Sequence, residues 1–203
     1  MPLPQSSRRR VMAGAKVMVS GEIGSGKSTA VRAAMARLGW RNPAGFFTHW
    51  GGAERGSPVL YLETWAGECR PVARRVMSPV APGGLPYQLD AEAFRSAVAA
   101  GLEPAVGGHP VVIDELGLIE LGAEDVADAL AELFRGPAPV LAVIQRRALG
   151  VWLERLGGGA AAAQRFDVEA ATRDTLPERI ASVFLRSPRS SRGQRPGGSG
   201  QTA

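Results

Sequence analysis

Cysteine is nearly absent from this chain. Cys69 stands alone among 203 residues. A single thiol excludes a disulfide framework and a cysteine-based zinc site, and Cys69 reads as a small strand residue rather than a nucleophile. Lysine is almost as scarce. Only Lys16 and Lys27 occur, against 22 arginines. Aromatic residues make up 6% of the chain, and no run of about 18 apolar residues exists to span a membrane as a helix. The basic start, Met1 to Arg10, is followed by no apolar segment of signal-peptide length. These absences predict a cytoplasmic protein.

The excess of positive charge is also local. The formal net charge is +5. Arg8, Arg9 and Arg10 open the chain, and Arg189, Arg192 and Arg195 lie near its end. Without these six, 18 basic residues face 19 acidic ones, a net of −1. A near-neutral body is no footprint for nucleic acid. The sequence therefore predicts a flexible basic leader over 1–13, one domain over 14–186 and a disordered Ser/Gly/Arg/Pro tail over 187–203.

One motif dominates what is there. Gly21-Glu22-Ile23-Gly24-Ser25-Gly26-Lys27-Ser28-Thr29 fits G-x-x-x-x-G-K-[ST], the phosphate-binding P-loop or Walker A motif. The apolar run from Val17 to Val19 precedes it, and a helix-forming run to Leu38 follows. That strand–loop–helix setting separates it from a chance glycine turn. Gly21, Gly24 and Gly26 permit close approach of the backbone, so loop N–H groups converge on phosphate oxygens. Lys27 is placed for the β- and γ-phosphates, and Ser28 for Mg²⁺. A lysine in a chain that otherwise uses arginine marks a role for a compact point charge.

The second clue is Val111-Val112-Ile113-Asp114-Glu115, an apolar strand ending in two carboxylates. Asp114 suits the Mg²⁺ contact that P-loop proteins take from such a strand end. Glu115 suits a general base for water. Strand alternation points Asp114 to one side and Glu115 to the other, or into the loop. Glu120 either faces the phosphates or is an ordinary acid at a helix start. Arg146 and Arg147, with Gln145, follow the apolar strand Val140 to Ile144. Arg146 is the chosen candidate to stabilise charge at the γ-phosphate, with Arg147 a second and Arg173 a weaker one, and Gln145 is a candidate to sense the γ-phosphate or orient water. His49 and Trp50, after a short strand, are candidates for stacking on a nucleobase.

Short apolar strands alternate with helices, which predicts an α/β three-layer domain. Strands are expected at Ala15 to Ser20, Phe46 to Thr48, Val111 to Glu115, Val140 to Ile144 and Phe166 to Val168. Pro58 to Glu63 and Cys69 to Met77 form an antiparallel pair added to a mostly parallel sheet. Gly51 to Ser57 reads as a hairpin loop, and residues 78–87 as an irregular loop. Helices are expected at Lys27 to Leu38, Ala91 to Gly101 with Asp90 as N-cap, Ala123 to Phe134, Arg147 to Leu156 and Thr172 to Phe184. Gly157 to Gly159 and the alanines after them read as a flexible break.

Taken together, these segments resemble a small stand-alone nucleoside-triphosphatase family, known from thermophiles and with a human cancer-related member. The matching stretches are GEIGSGKST, AGFFT, YLETWAGECRPVAR, YQLDAEAF, VVIDELGLIEL and RFDVEAATRDTL, spread over residues 15–185. The resemblance implies a RecA-like P-loop fold and slow, Mg²⁺-dependent hydrolysis of ATP, GTP and other nucleoside triphosphates to the diphosphate. It assigns phosphate binding to Gly21 through Thr29, Mg²⁺ to Ser28 and Asp114, and water activation to Glu115. The chain departs from the family pattern at His49, at Thr172-Arg173 and in the insert from Gly157 to Ala163, which bears on substrate preference. A nucleotide or small-molecule kinase is the alternative activity, and a nucleotide-dependent switch for a protein partner a third reading. The expected state is a monomer or small homo-oligomer.

Overall fold

Lys16 already shows how the strand core begins. In the computed structural model its Nζ donates to the carbonyl oxygens of Gly136, at 2.9 Å, and Ala138. Burial pulls its pKa down to about 8. The two lysines of the chain are thus both buried. Lys16 ties the first strand to the turn before the strand beside it. The structure describes residues 14–51, 58–76 and 86–185. The expected leader, the tail and most of the two loops at 51–57 and 78–87 lie outside the described residues.

Eight strands form one sheet. They are β1 (Lys16–Gly21), β2 (Ala44–Trp50), β3 (Val59–Thr64), β4 (Cys69–Arg75), β5 (Tyr87–Leu89), β6 (Val111–Leu116), β7 (Val140–Gln145) and β8 (Gln164–Asp167). Their order is β5-β4-β3-β2-β6-β7-β1-β8. Strands β2, β6, β7, β1 and β8 run parallel, and β3, β4 and β5 extend the sheet antiparallel beyond β2. The helices are α1 (Lys27–Leu38), α2 (Ala91–Leu102), α3 (Glu124–Arg135), α4 (Leu149–Leu156), α5 (Gly158–Ala161) and α6 (Leu176–Leu185).

Alternation along the strands divides the core. Val17 and Val19 join Val112, Leu141 and Val143 under α1 and α6. Met18 joins Phe46, Ile113 and Ala142 under the helices of the other face, with Phe94, Leu130 and Trp152. Strands covered on both faces read as continuous apolar runs rather than alternating ones. Each large side chain so buried contributes about 1.5–3 kcal/mol. Gly45 in β2 has φ 104, and a Cβ there would stand 2.1 Å from the carbonyl oxygen of Val112. Only glycine fits that approach.

The structure adjusts several expectations. The antiparallel addition has three strands, because Tyr87–Leu89 pairs with β4. Its signal is only three residues long, just after a Pro/Gly-rich stretch. Pro71 is accommodated inside β4 by a bulge. The register passes from Leu60 opposite Ala73 to Tyr61 opposite Pro71, leaving Val72 extra. Asp90 caps α2 as expected, accepting from the Ala93 N–H at 3.0 Å. The helix expected from Arg147 starts as a 3₁₀ turn at Arg146–Ala148, and the one expected from Thr172 begins at Leu176. The glycines after Leu156 form the short α5 rather than an open break.

Candidate active site

The P-loop leaves the end of β1 and enters α1. Gly26 occupies the N-cap with φ 95, a left-handed conformation that glycine adopts without cost from a Cβ. The first helical N–H groups are thereby left open toward solvent, where an anion finds both donors and the positive helix end. The Ser25 hydroxyl is shielded from water and makes no hydrogen bond among the described residues. Arg173, the weaker arginine candidate, lies against the same cap. A Cβ on Gly26 would come within 3.1 Å of its Cδ.

Lys27 is only 5% exposed. Its Nζ donates to the carbonyls of Gly21, at 3.2 Å, and Glu22, at 2.9 Å. The same ammonium stands 3.4 Å from Glu115 Oε2. The cationic group of the loop and the candidate base are therefore already paired.

Asp114 and Glu115 end the strand together. Asp114 pairs with Val143 and Leu116 with Ile144, so Glu115 is an extra residue in β6. The peptide between the two acids is cis. Both carboxylates line one cavity of about 350 Å³, with Ile23, Gly24, Gly26, Lys27, Ser28, Thr29 and Thr48. Of the two expectations for Glu115, the opposite side of the strand or the loop, the second is the nearer, because a bulge suspends the strand alternation. Ser28 Oγ donates to Asp114 Oδ1 at 3.0 Å. Burial pushes the Asp114 carboxyl up to about 6, with the Ser28 bond pulling the other way. An all-oxygen pair with a buried carboxylate fits Mg²⁺, a hard cation that takes oxygen ligands. Its charge would hold Asp114 ionised.

Gln145, at the end of β7, donates from Nε2 to Glu115 Oε1 at 2.7 Å. Arg147 Nε donates in turn to Gln145 Oε1 at 3.1 Å. The Gln145 amide packs on Gly117, where a Cβ would come within 2.7 Å. Gly117 itself is pinned twice. Its N–H donates to Glu120 Oε2 at 2.7 Å, and its carbonyl accepts from Trp152 Nε1 at 2.9 Å. Glu120 does begin a short helix, the 3₁₀ turn Glu120–Gly122, and is not among the residues lining the cleft. It is buried and braces the turn after Glu115.

Arg146 is not among the residues lining the cleft. Its guanidinium pairs with Asp167 and, at 3.3 Å, with Glu22. It braces the outside of the P-loop. His49 and Trp50 are turned to rings of the protein itself. His49 stacks on Tyr61, with centroids 5.7 Å apart, and Trp50 lies 5.1 Å from Tyr87. Thr48 lies in the AGFFT stretch but was not singled out as a site residue, and the sequence offered no sign of Trp152, since a lone tryptophan carries no motif of its own here. Arg32 was also missed. It lies over Phe47 and Trp65 and its charge acts on Asp114. A larger cavity of about 900 Å³ lies on the β3–β4–β5 extension. It adjoins residues outside the described set and holds no lysine–carboxylate pair.

A P-loop at the end of β1, an acid pair at the end of the parallel strand β6 on the far side of β7 and helices on both faces define a P-loop nucleotide-binding protein. Residues 16–181 match the model of the NTPase family, and the chain belongs to that family. Over 99 residues it is 33% identical to the nucleoside-triphosphatase THEP1 of Methanosarcina acetivorans, a match covering 49% of this chain and 50% of that protein. The chain thus spans about half the length of this curated relative. The crystal structure of THEP1 from the hyperthermophile Aquifex aeolicus superposes with a TM-score of 0.66 at 25% identity, covering 84% of this chain and 99% of that one. The solution structure of a human cancer-related nucleoside triphosphatase gives a TM-score of 0.66 at 23% identity, covering 88% and 100%. The fold is the three-layer P-loop fold of these proteins. Among the described residues no helix is long and apolar enough to cross a membrane.

Proposed function

We propose that this protein hydrolyses nucleoside 5'-triphosphates, ATP and GTP among them, to the diphosphate and phosphate, with water as the acceptor. The observation that carries the reading is Glu115. It sits in the P-loop cleft within 3.4 Å of Lys27 and is held from behind by Gln145.

The chemistry asks for positioning and charge neutralisation more than for covalent steps. The N–H groups from Gly21 to Thr29 receive the phosphate oxygens. Lys27, now held by two loop carbonyls, turns to the β- and γ-oxygens and leaves Glu115 free. Ser28 and Asp114 would hold Mg²⁺, which would supply neutralisation of phosphate charge. Glu115 takes the proton of the attacking water at Oε2 while Gln145 fixes Oε1. Arg146 keeps the loop in place through Glu22. A kinase would want free basic residues over the acceptor. Arg146 and Arg147, at the head of α4, are engaged with Glu22, Asp167 and Gln145 instead.

The test is phosphate release from a panel of nucleoside triphosphates, with Mg²⁺ and with EDTA, for the parent and for Glu115→Gln. The expected result is Mg²⁺-dependent release that falls about 10²–10⁴-fold in the variant, with nucleotide affinity kept. Release undiminished in Glu115→Gln would overturn the role of Glu115. A phosphorylated nucleoside monophosphate appearing in place of free phosphate would establish the kinase.

A further inference from the structure

We propose that His49, Glu63 and Cys69 form a binding site for a borderline-soft divalent cation of the zinc class, separate from the Ser28–Asp114 pair. The three residues come from three successive strands, β2, β3 and β4. Glu63 stands directly opposite Cys69 across β3–β4 and directly opposite Phe47 across β2–β3. His49 is two residues beyond Phe47, which puts it on the same face and diagonal to Glu63. The register therefore gathers an imidazole, a carboxylate and a thiol at one place. One ligand atom from each lies within 4.8 Å of the others. Ligand atoms around tetrahedral zinc stand roughly 3.5 Å apart. Small rotamer changes of half-exposed and exposed side chains close that difference.

His49 supplies the independent observation. Its Nε2 is shielded from solvent and makes no hydrogen bond among the described residues. The carboxylate oxygen Glu63 Oε2 stands 3.5 Å from it, too far for a good hydrogen bond. The ring is oriented by its stack on Tyr61, at an interplanar angle of 14°, and by Phe47 at 6.0 Å. A ring nitrogen held in place without a hydrogen bond, 3.5 Å from a carboxylate oxygen and in a cluster that includes the Cys69 thiol, is placed to serve as a ligand.

The donor set chooses the ion. Nitrogen, oxygen and sulfur together suit Zn²⁺ and its neighbours, while Mg²⁺ takes oxygen. One cysteine is enough when histidine and glutamate complete the set, a combination that counting cysteines does not find. Three protein ligands leave the fourth tetrahedral position open to water. Coordination makes Cys69 a thiolate and releases its proton to solvent. The site is also distinct in space. Asp114, Phe47, Glu63 and Cys69 occupy one row across β6, β2, β3 and β4. At about 4.8 Å per strand, Glu63 is roughly 10 Å from Asp114 along the row. A cation here clips the antiparallel extension to β2, the strand that carries Thr48 into the cleft.

The experiment uses the whole protein, stripped of metal and titrated with Co²⁺ as a spectroscopic stand-in for Zn²⁺. The expected result is one four-coordinate cobalt per chain with a thiolate-to-cobalt charge-transfer absorption. Cys69→Ser abolishes that absorption. His49→Ala and Glu63→Gln each weaken binding about tenfold or more. Asp114→Asn leaves the absorption unchanged. Zn²⁺ displaces the cobalt and excess Mg²⁺ does not. As a second readout, Zn²⁺ raises the Tm of the parent but not of Cys69→Ser, a substitution at an exposed position. Absence of the charge-transfer absorption overturns the proposal. So does an absorption that His49→Ala and Glu63→Gln leave untouched, since the thiol alone would then be capturing the ion.

Discussion

Ser28 and Asp114 meet at 3.0 Å, hydroxyl to carboxylate, and so join the start of α1 to the end of β6. They are 86 positions apart in sequence. The contact exists because β1 and β6 flank β7 as parallel neighbours, which brings both strand ends to the same edge. Asp114→Asn keeps an oxygen to accept the Ser28 bond but removes the charge. Mg²⁺-dependent phosphate release should fall about 10²–10³-fold, the scale of losing one organising electrostatic group. The melting temperature should hold or rise, because a buried carboxylate no longer needs to ionise. Phosphate release across a Mg²⁺ series, with a thermal melt of the same sample, checks both halves. Unchanged Mg²⁺ dependence would remove Asp114 from the cation site.

Gln145 holds Glu115 without reaching the cleft itself. Its bond to a carboxylate is of the charge-assisted kind, contributing about 1.5–3 kcal/mol. Gln145→Ala should lower kcat about tenfold or more and leave KM near the parent value. In a Glu115→Gln background the same substitution should have little further effect, because the two act as one unit. Independent, additive losses in the double variant would mean that Gln145 acts on the nucleotide rather than through Glu115.

Arg146 offers a sharper division between readings. Its side chain is 44% exposed, and its guanidinium is engaged by Glu22 and Asp167. As a brace on the P-loop it should matter modestly. Arg146→Ala should raise KM about threefold, the scale of losing exposed ion pairs, with kcat nearly unchanged. An arginine that meets the γ-phosphate would cost about 10³–10⁵ in kcat. Steady-state kinetics of this one variant separates the two.

The P-loop, the core strands and the strand-end acid pair were legible because each has a local signature. Glycine spacing marks Gly21 to Lys27, and an apolar run ending in Asp114-Glu115 marks the strand end. The geometry between the acids was not legible. Alternation left Glu115 either opposite to Asp114 or in the loop, and a one-residue bulge at Glu115 brought both into the cleft. Arg146 and Glu120 have partners that the sequence did not indicate. Their position in sequence placed each near the site, but their partners come from β8 and from the turn at Gly117. Pairings of that kind depend on side-chain packing across the fold, which no periodicity in the chain records.

Glu120 makes stability depend on pH in a direction unusual for an acid. It is 4% exposed, and burial above all pushes its carboxyl up to about 7, from 4.5 in the absence of the fold. Between those values the native chain holds a proton that the unfolded chain has released. The stabilisation is complete below about pH 4.5 and is lost as the pH rises through about 7. A difference of that size corresponds to something on the order of 3 kcal/mol. Glu120→Gln keeps an oxygen for the Gly117 N–H and has no proton to lose. The variant should match the parent in denaturant unfolding at pH 5 and exceed it at pH 8. A variant less stable than the parent at pH 8 would show that the ionised Glu120 carboxylate, rather than its neutral form, is what holds the turn behind Glu115.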